Sequence, residues 1–321
     1  MNRLLKLLTA CLLLSTLTTA YSQQLPIYTQ YRENASIINP AAVPVDYLAF
    51  EQNVSFGISY RNQWVGLDNA PTTATLRGDY LYAEDGVFNF TAGGHVIHDQ
   101  TGPTGFTGLY GRFGGMITDD PYYGGIGIGI AGGMVQYRVN VTELRLRDRE
   151  EVLTADNQTQ WNPDVGVGLF AYKRLEGAKS NGDILYGGLS APQLLGLDLE
   201  FRDETGDFFQ QRIYHAYANV GFIKFFRNEG FIEPSAWVKY APNSPVNVDF
   251  NLRYQMKNNF WIGVGAATAG TSHLEIGVLI GENLGFDNNL KIGYGFDYHF
   301  TKFGPETGTT HEVHLSYAFE Y

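Results

Sequence analysis

From residue 52 onward the chain is a series of short runs in which apolar and polar positions alternate, separated by Gly, Asn, Asp and Pro. Val246, Val248, Phe250, Leu252 and Tyr254 occupy one set of positions, and Asn247, Asp249, Asn251 and Arg253 the other. The run from Leu290 to Phe300 repeats the device, with Tyr294, Phe296 and Tyr298 set against Lys291 and Asp297. The last run sets Val313, Leu315, Tyr317, Phe319 and Tyr321 against Glu312, His314, Ser316, Ala318 and Glu320. A period of two is strand periodicity, so the pattern predicts strands whose two faces meet different surroundings. By this rule strands lie near 52–62, 72–82, 86–97, 104–113, 123–137, 162–173, 183–190, 212–224, 230–240, 245–255, 259–268, 272–281, 289–300 and 311–321. The expected fold is therefore all-β, with about fourteen strands.

A soluble sandwich also alternates, but it keeps a dry interior and places charge outside. Here the polar rows hold Asp, Glu, Lys, Arg and His, the apolar rows end in aromatic residues, and most runs are near the ~9–11 residues that a tilted strand needs to cross a bilayer. Apolar outside and polar inside, with aromatic belts, is the pattern of a transmembrane antiparallel β-barrel of the outer-membrane type. Closure is required, because an unpaired strand edge cannot be hydrated in lipid. With the N-terminal end in the periplasm, the connections 63–71, 98–103, 138–161, 191–211 and 301–310 fall outside, and the shorter set falls inside.

Composition narrows the reading further. Of 321 residues only 17% are charged, while 38 are Gly, 21 Phe and 21 Tyr. The net charge of -11 has the wrong sign for neutralising phosphates, which excludes nucleic acid as a default partner. No internal apolar run approaches the ~20 residues of a membrane helix.

The N-terminus carries Arg3 and Lys6, then an apolar stretch from Leu7 to Leu17, then small residues up to Ser22. That order predicts a signal peptide over 1–22, and hence an exported chain destined for the outer membrane. The only cysteine, Cys11, lies inside it. Its removal would leave no thiol for disulfides, metal ligation or nucleophilic catalysis. Residues 23–51, with Pro26, Pro40 and Pro44, fit neither strand nor helix. They are expected to form a periplasmic N-terminal segment that plugs the barrel, covers its mouth or docks against a partner below it, ahead of a barrel over 52–321.

Chemistry-bearing motifs are weak. Gly127-Ile128-Gly129-Ile130-Ala131-Gly132 matches a dinucleotide fingerprint by letter, but it lies in an alternating run where a strand-to-helix turn is required. His311-Glu312-Val313-His314 lacks the four-residue histidine spacing of a helical zinc site, and strand spacing puts Glu312 and His314 on one polar face. His95, His98 and Asp99 read as lumen or loop residues. The acidic runs Asp148–Glu151 and Asp203-Glu204 read as solvated outer loops. Asn140-Val141-Thr142 matters only in a glycosylating host. No catalytic, cofactor-binding or metal-binding residues are assigned, and no enzymatic activity is expected.

Several blocks, in order, resemble the type IX secretion system membrane proteins PorP/SprF. They are Ile38-Asn39-Pro40-Ala41, Tyr60-Arg61-Asn62-Gln63-Trp64-Val65-Gly66 with Ala70-Pro71-Thr72-Thr73, and Asp99-Gln100-Thr101-Gly102-Pro103-Thr104. Tyr186 to Leu194, Glu233-Pro234-Ser235 and Thr310 to Leu315 continue the series. The resemblance implies a non-enzymatic barrel of a Bacteroidota outer membrane that serves secretion or gliding. Its implied partners are the periplasmic ring lipoproteins, other components of the apparatus, and the C-terminal domain of a secreted adhesin that is exported or anchored at the surface. The alternative is an outer-membrane channel for small solutes. Asn39, Pro40, Arg61, Asn62, Gln63 and Trp64 are the candidate partner contacts. Leu315, Tyr317, Phe319 and Tyr321, which end the chain on an apolar face, are the candidate assembly signal.

Overall fold

The computed structural model describes residues 27–84, 88–140, 158–177, 180–195, 198–203, 206–211, 213–227, 230–257, 259–281, 284–301 and 304–321. The signal segment and the Asp148–Glu151 run lie outside these residues. So does Glu204.

Fourteen strands close into one antiparallel barrel. In chain order they are β1 (Val54–Asn62), β2 (Thr72–Tyr82), β3 (Asn89–Thr101), β4 (Thr104–Ile117), β5 (Gly124–Val139), β6 (Gln158–Arg174) and β7 (Ile184–Gln193). After a separate two-stranded hairpin, β8 (Asp198–Asp203) and β9 (Gly206–Gln211), come β10 (His215–Phe225), β11 (Phe231–Tyr240) and β12 (Asn247–Gln255). The last four are β13 (Phe260–Ala267), β14 (Thr271–Ile280), β15 (Asn289–His299) and β16 (Thr310–Phe319). Each barrel strand pairs with its neighbour in sequence, β7 pairs with β10 across the hairpin, and β1 pairs with β16 from Val54 opposite Phe319 to Asn62 opposite His311. That last ladder removes the sheet edges.

Alternation places side chains as the sequence pattern predicts. Phe250, Leu252, Tyr294 and Tyr317 are exposed on the outer wall, whereas Asp249, Arg253, Asp297 and Glu312 are buried inside. The end of the barrel that carries Val54 and Phe319 is termed the inner rim, where the side chain of Asn53 exchanges two hydrogen bonds with the backbone of Tyr321. Aromatic rings stack outside near it: Phe90 lies 5.4 Å from Tyr82 and 5.6 Å from Phe113. Tyr298 and Phe300 meet at 5.1 Å near the outer rim. Rings at both ends of an apolar wall suit the two membrane interfaces.

Two expectations shift. The connection expected over 98–103 shrinks to Gly102-Pro103, because β3 continues through His98, Asp99 and Gln100, and Gly102 takes the positive φ of 56° that a tight reversal requires. The outer connection 191–211 contains the β8–β9 hairpin rather than loop alone.

The N-terminal segment takes the plugging position among the three expected for it. Residues 28–43 are almost all buried, and they lie inside the barrel rather than beneath it. A 3₁₀ turn (Tyr31–Asn34) runs into a one-turn helix α1 (Ala35–Ile38), an elbow at Asn39-Pro40-Ala41, and a second short helix α2 (Val45–Phe50). Glu51, with φ 61°, ends α2 in the left-handed conformation and turns the chain towards β1. Helices this short do not persist alone in water, so their order comes from the surrounding wall.

Candidate functional site: the plugged lumen

The segment descends from the outer half of the lumen to the inner rim, and charged side chains latch it to the wall at each level. At the top, the backbone N–H groups of Thr29 and Gln30 donate to the Glu312 carboxylate at 2.7 and 3.0 Å. Arg61 of β1 bridges Asp297, at 2.7 Å, and Glu312, at 3.4 Å, and also donates to the Thr29 hydroxyl. One turn lower, Arg32 of the plug pairs with Glu275 at 2.7 Å and Glu233 at 3.4 Å. Its neighbour Glu33 accepts from Arg253 at 2.9 Å and from Lys291. Lys291 continues to Asp46 at 3.0 Å, and Asp46 accepts from Ser55 of β1. On the opposite wall Asp79 is held by Arg77 and Arg112 at 2.8 Å each and accepts from Ser36 of α1.

Buried charges are tolerated only when paired and hydrogen-bonded. The adjacent, opposite charges of Arg32 and Glu33 meet two wall carboxylates on one side and two wall cations on the other. A shift of the plug by one residue would confront like charges. The wall therefore specifies this one position.

The elbow is seated differently. Arg112 donates to the carbonyls of Pro40 and Ala42 at 2.9 and 2.8 Å, and the Asn39 side chain donates to the carbonyl of Leu169 while accepting from Ala41 N–H. Where the elbow backbone lies closest to strands β5, β6 and β7, the wall carries glycine. A Cβ at Gly129 would lie 2.5 Å from the Pro40 oxygen, and Cβ atoms at Gly168 and Gly188 would overlap the Asn39 carboxamide. Gly129 belongs to the run that imitates a dinucleotide motif. Its role here is close approach of two backbones within a strand.

Apolar contacts complete the closure. Tyr31 packs on Trp237 at 5.3 Å, Phe50 on Phe231 at 6.1 Å and Tyr47 edge-on to Tyr172 at 6.2 Å. The gaps left beside Ile38 and Trp237 hold no more than a few waters each.

Three of the candidate contacts lie inside: Asn39 and Pro40 are buried in the lumen, and Arg61 is 3% exposed between two carboxylates. Asn62, Gln63 and Trp64 do lie at the outer rim, half-buried. Gln63 N–H donates to the Pro71 carbonyl, Trp64 N–H to the Thr310 hydroxyl, and the Trp64 ring sits edge-on to His299 at 6.0 Å. Val65 and Gly66 bond to the backbone of Thr309 and Thr307, which clamps the first outer loop to the last. Leu315 and Tyr317 face outward in mid-strand, Phe319 closes the ladder opposite Val54, and Tyr321 projects at the inner rim.

His95 stacks on Tyr110 at 4.7 Å and His98 bonds to Thr107, while Asp99 accepts from Thr73. They form no common centre, and among the described residues no group of His, Cys, Asp and Glu could hold a metal ion. Sequence reasoning placed Asp249, Asp297 and Glu312 in the lumen but missed the plug residues that meet the wall, Arg32, Glu33 and Asp46.

Among solved structures, the chain is similar to the Pseudomonas putida toluene transporter TodX at 10% identity over 94% of this chain and 100% of that one, with a TM-score of 0.52. It is similar to a Pseudomonas aeruginosa FadL homologue at 10% identity over 89% and 94%, with a TM-score of 0.50. At this identity the likeness is one of fold, an outer-membrane barrel. No curated protein matches the chain in sequence. The family described as type IX secretion system membrane protein PorP/SprF matches residues 20–317, nearly the whole length, and the chain belongs to that family.

Proposed function

We propose that this chain is a non-enzymatic, permanently plugged barrel of a Bacteroidota outer membrane that serves type IX secretion by binding other proteins at its rims. The observation that carries this reading is the latch of Arg32 and Glu33 to four wall charges, which fixes the plug in one register across the lumen, with gaps beside it that hold only a few waters. A pore would need a wet, continuous lumen. The outer rim is the surface for a secreted adhesin, held through its C-terminal domain for export or anchoring. There Asn62, Gln63 and Trp64 border Val65 and Leu67, which are apolar and 45% and 44% exposed on a clamped loop. The inner rim, where α2 ends, is the surface for the periplasmic ring lipoproteins of the secretion and gliding machinery.

Affinity capture of the tagged chain from native membranes, with the Val65→Asp/Leu67→Asp variant alongside, tests this. Co-purification of an adhesin or ring component, with the adhesin alone lost in the variant, is the expected result. Steady conductance of the purified wild-type barrel in planar bilayers, with no protein partner captured, would instead make it a small-solute channel.

A further inference from the structure

The outer wall has a second feature, unrelated to the plug. Most outward positions carry bulky side chains, as with Ile126 (60% exposed) and Leu185 (47%), but Ala171 of β6 and Gly187 of β7 lie between such ridges and leave the wall recessed. The depression holds about 840 Å³ and begins at the inner rim beside Lys173 and Asp119. It runs upward into a second depression of about 430 Å³ floored by Ala218 and Ala236, because Ile126, Ala171, Gly187 and Val220 border both. The result is a long aliphatic groove on the membrane-facing surface.

Its lower end is charged. Lys173 is exposed, pairs in the ladder with Gly124, and points to the outer wall, while Asp119 is exposed on the turn just before β5. Both line the groove, and among the described residues neither has an ion-pair partner. Tyr123, 46% exposed, lines the same mouth at the level where aromatic side chains mark the interface. A cation and a carboxylate at the mouth of an aliphatic groove match a zwitterion whose tails lie in the bilayer.

We propose that this groove seats one phospholipid with an ethanolamine head group, its phosphate on Lys173, its ammonium on Asp119 and an acyl chain over Ala171 and Ala218. The test is native mass spectrometry of the full barrel in detergent, titrated separately with phosphatidylethanolamine and phosphatidylglycerol. One phosphatidylethanolamine should survive activation that strips phosphatidylglycerol, and Lys173→Ala or Asp119→Asn should each weaken its retention by about tenfold. Ala171→Leu/Ala218→Leu should abolish retention while heat-modifiable mobility on gels shows an intact barrel. Equal retention of the two lipids, or wild-type retention in the filled variant, overturns the proposal. Loss of a co-purifying membrane protein from the filled variant, with lipid retention unchanged, also overturns it and makes the groove a protein-docking face.

Discussion

Glycine does opposite things on the two faces of this barrel, and the difference is decided residue by residue. Inside, Gly129, Gly168 and Gly188 let the elbow backbone reach the strand backbone, and no side chain fits there. Outside, Gly187 leaves a groove. The inner case makes a direct prediction. Gly168→Val forces a branched side chain into the space of the Asn39 carboxamide, an overpacking that typically costs about 1–3 kcal/mol. Because the ladders on either side of Gly168 are unaffected, the strain is relieved by moving the elbow, not the wall. The variant should keep heat-modifiable mobility, yet residues 28–43 should become open to added protease and the barrel should conduct in planar bilayers. A closed, protease-resistant variant would show that the elbow is not the tight point of the plug.

At the scale of the element, the strands were legible in detail, whereas the segment ahead of them was legible only as a plug, a cover or a docking element, for a physical reason. A strand between lipid and a polar lumen must alternate, so β12, β15 and β16 declare themselves in sequence. The outer halves of β3 and β6 hold polar residues on both faces near water, which is why their ends ran past the predicted limits. The segment from Tyr28 to Phe50 meets charge, glycine backbone and aromatic rings in turn within the lumen, so no period describes it. Its signal lay in the wall: inward positions of β5, β6 and β7 carry glycine where a water-filled lumen would favour polar side chains, and something had to fill that space. The rim candidates Asn62, Gln63 and Trp64 were visible as a motif, but Arg61 beside them turns inward by the same alternation, and that was overlooked. Neighbouring residues of β12 separate the two faces by experiment. Leu252→Arg places a charge on the lipid face and should cost about 2–4 kcal/mol near the bilayer midplane, seen as a lower urea midpoint for unfolding from liposomes. Asn251→Ala, on the lumen face, removes bonds to Arg32 and Glu275 and should leave insertion unchanged while loosening the plug to protease.

For the whole molecule, the plug and the closing seam are one structure. Thr29 and Gln30 bond to Glu312 of β16, and Asn34 bonds to Ser59 of β1, whose hydroxyl also meets His314 of β16 at 2.8 Å. The plug therefore spans the two strands that join last in chain order, although the β1–β16 ladder is complete without it. Deleting residues 28–50 should then yield a barrel that still assembles, because every backbone group of the seam keeps its partner. Its stability should fall by less than the roughly 3–5 kcal/mol per pair expected when one partner of a buried ion pair is removed, since water enters the opened lumen and hydrates Glu233, Glu275, Arg253 and Lys291. The measurements are the temperature at which gel mobility shifts, which should drop, and single-channel conductance, which should appear. On the proposed role, secretion through the type IX apparatus should be lost, because α2 ends at the inner rim. Complete absence of the deleted barrel from the outer membrane would show that the plug is required to draw β1 and β16 together, and that closure depends on the lumen rather than on the ladder alone.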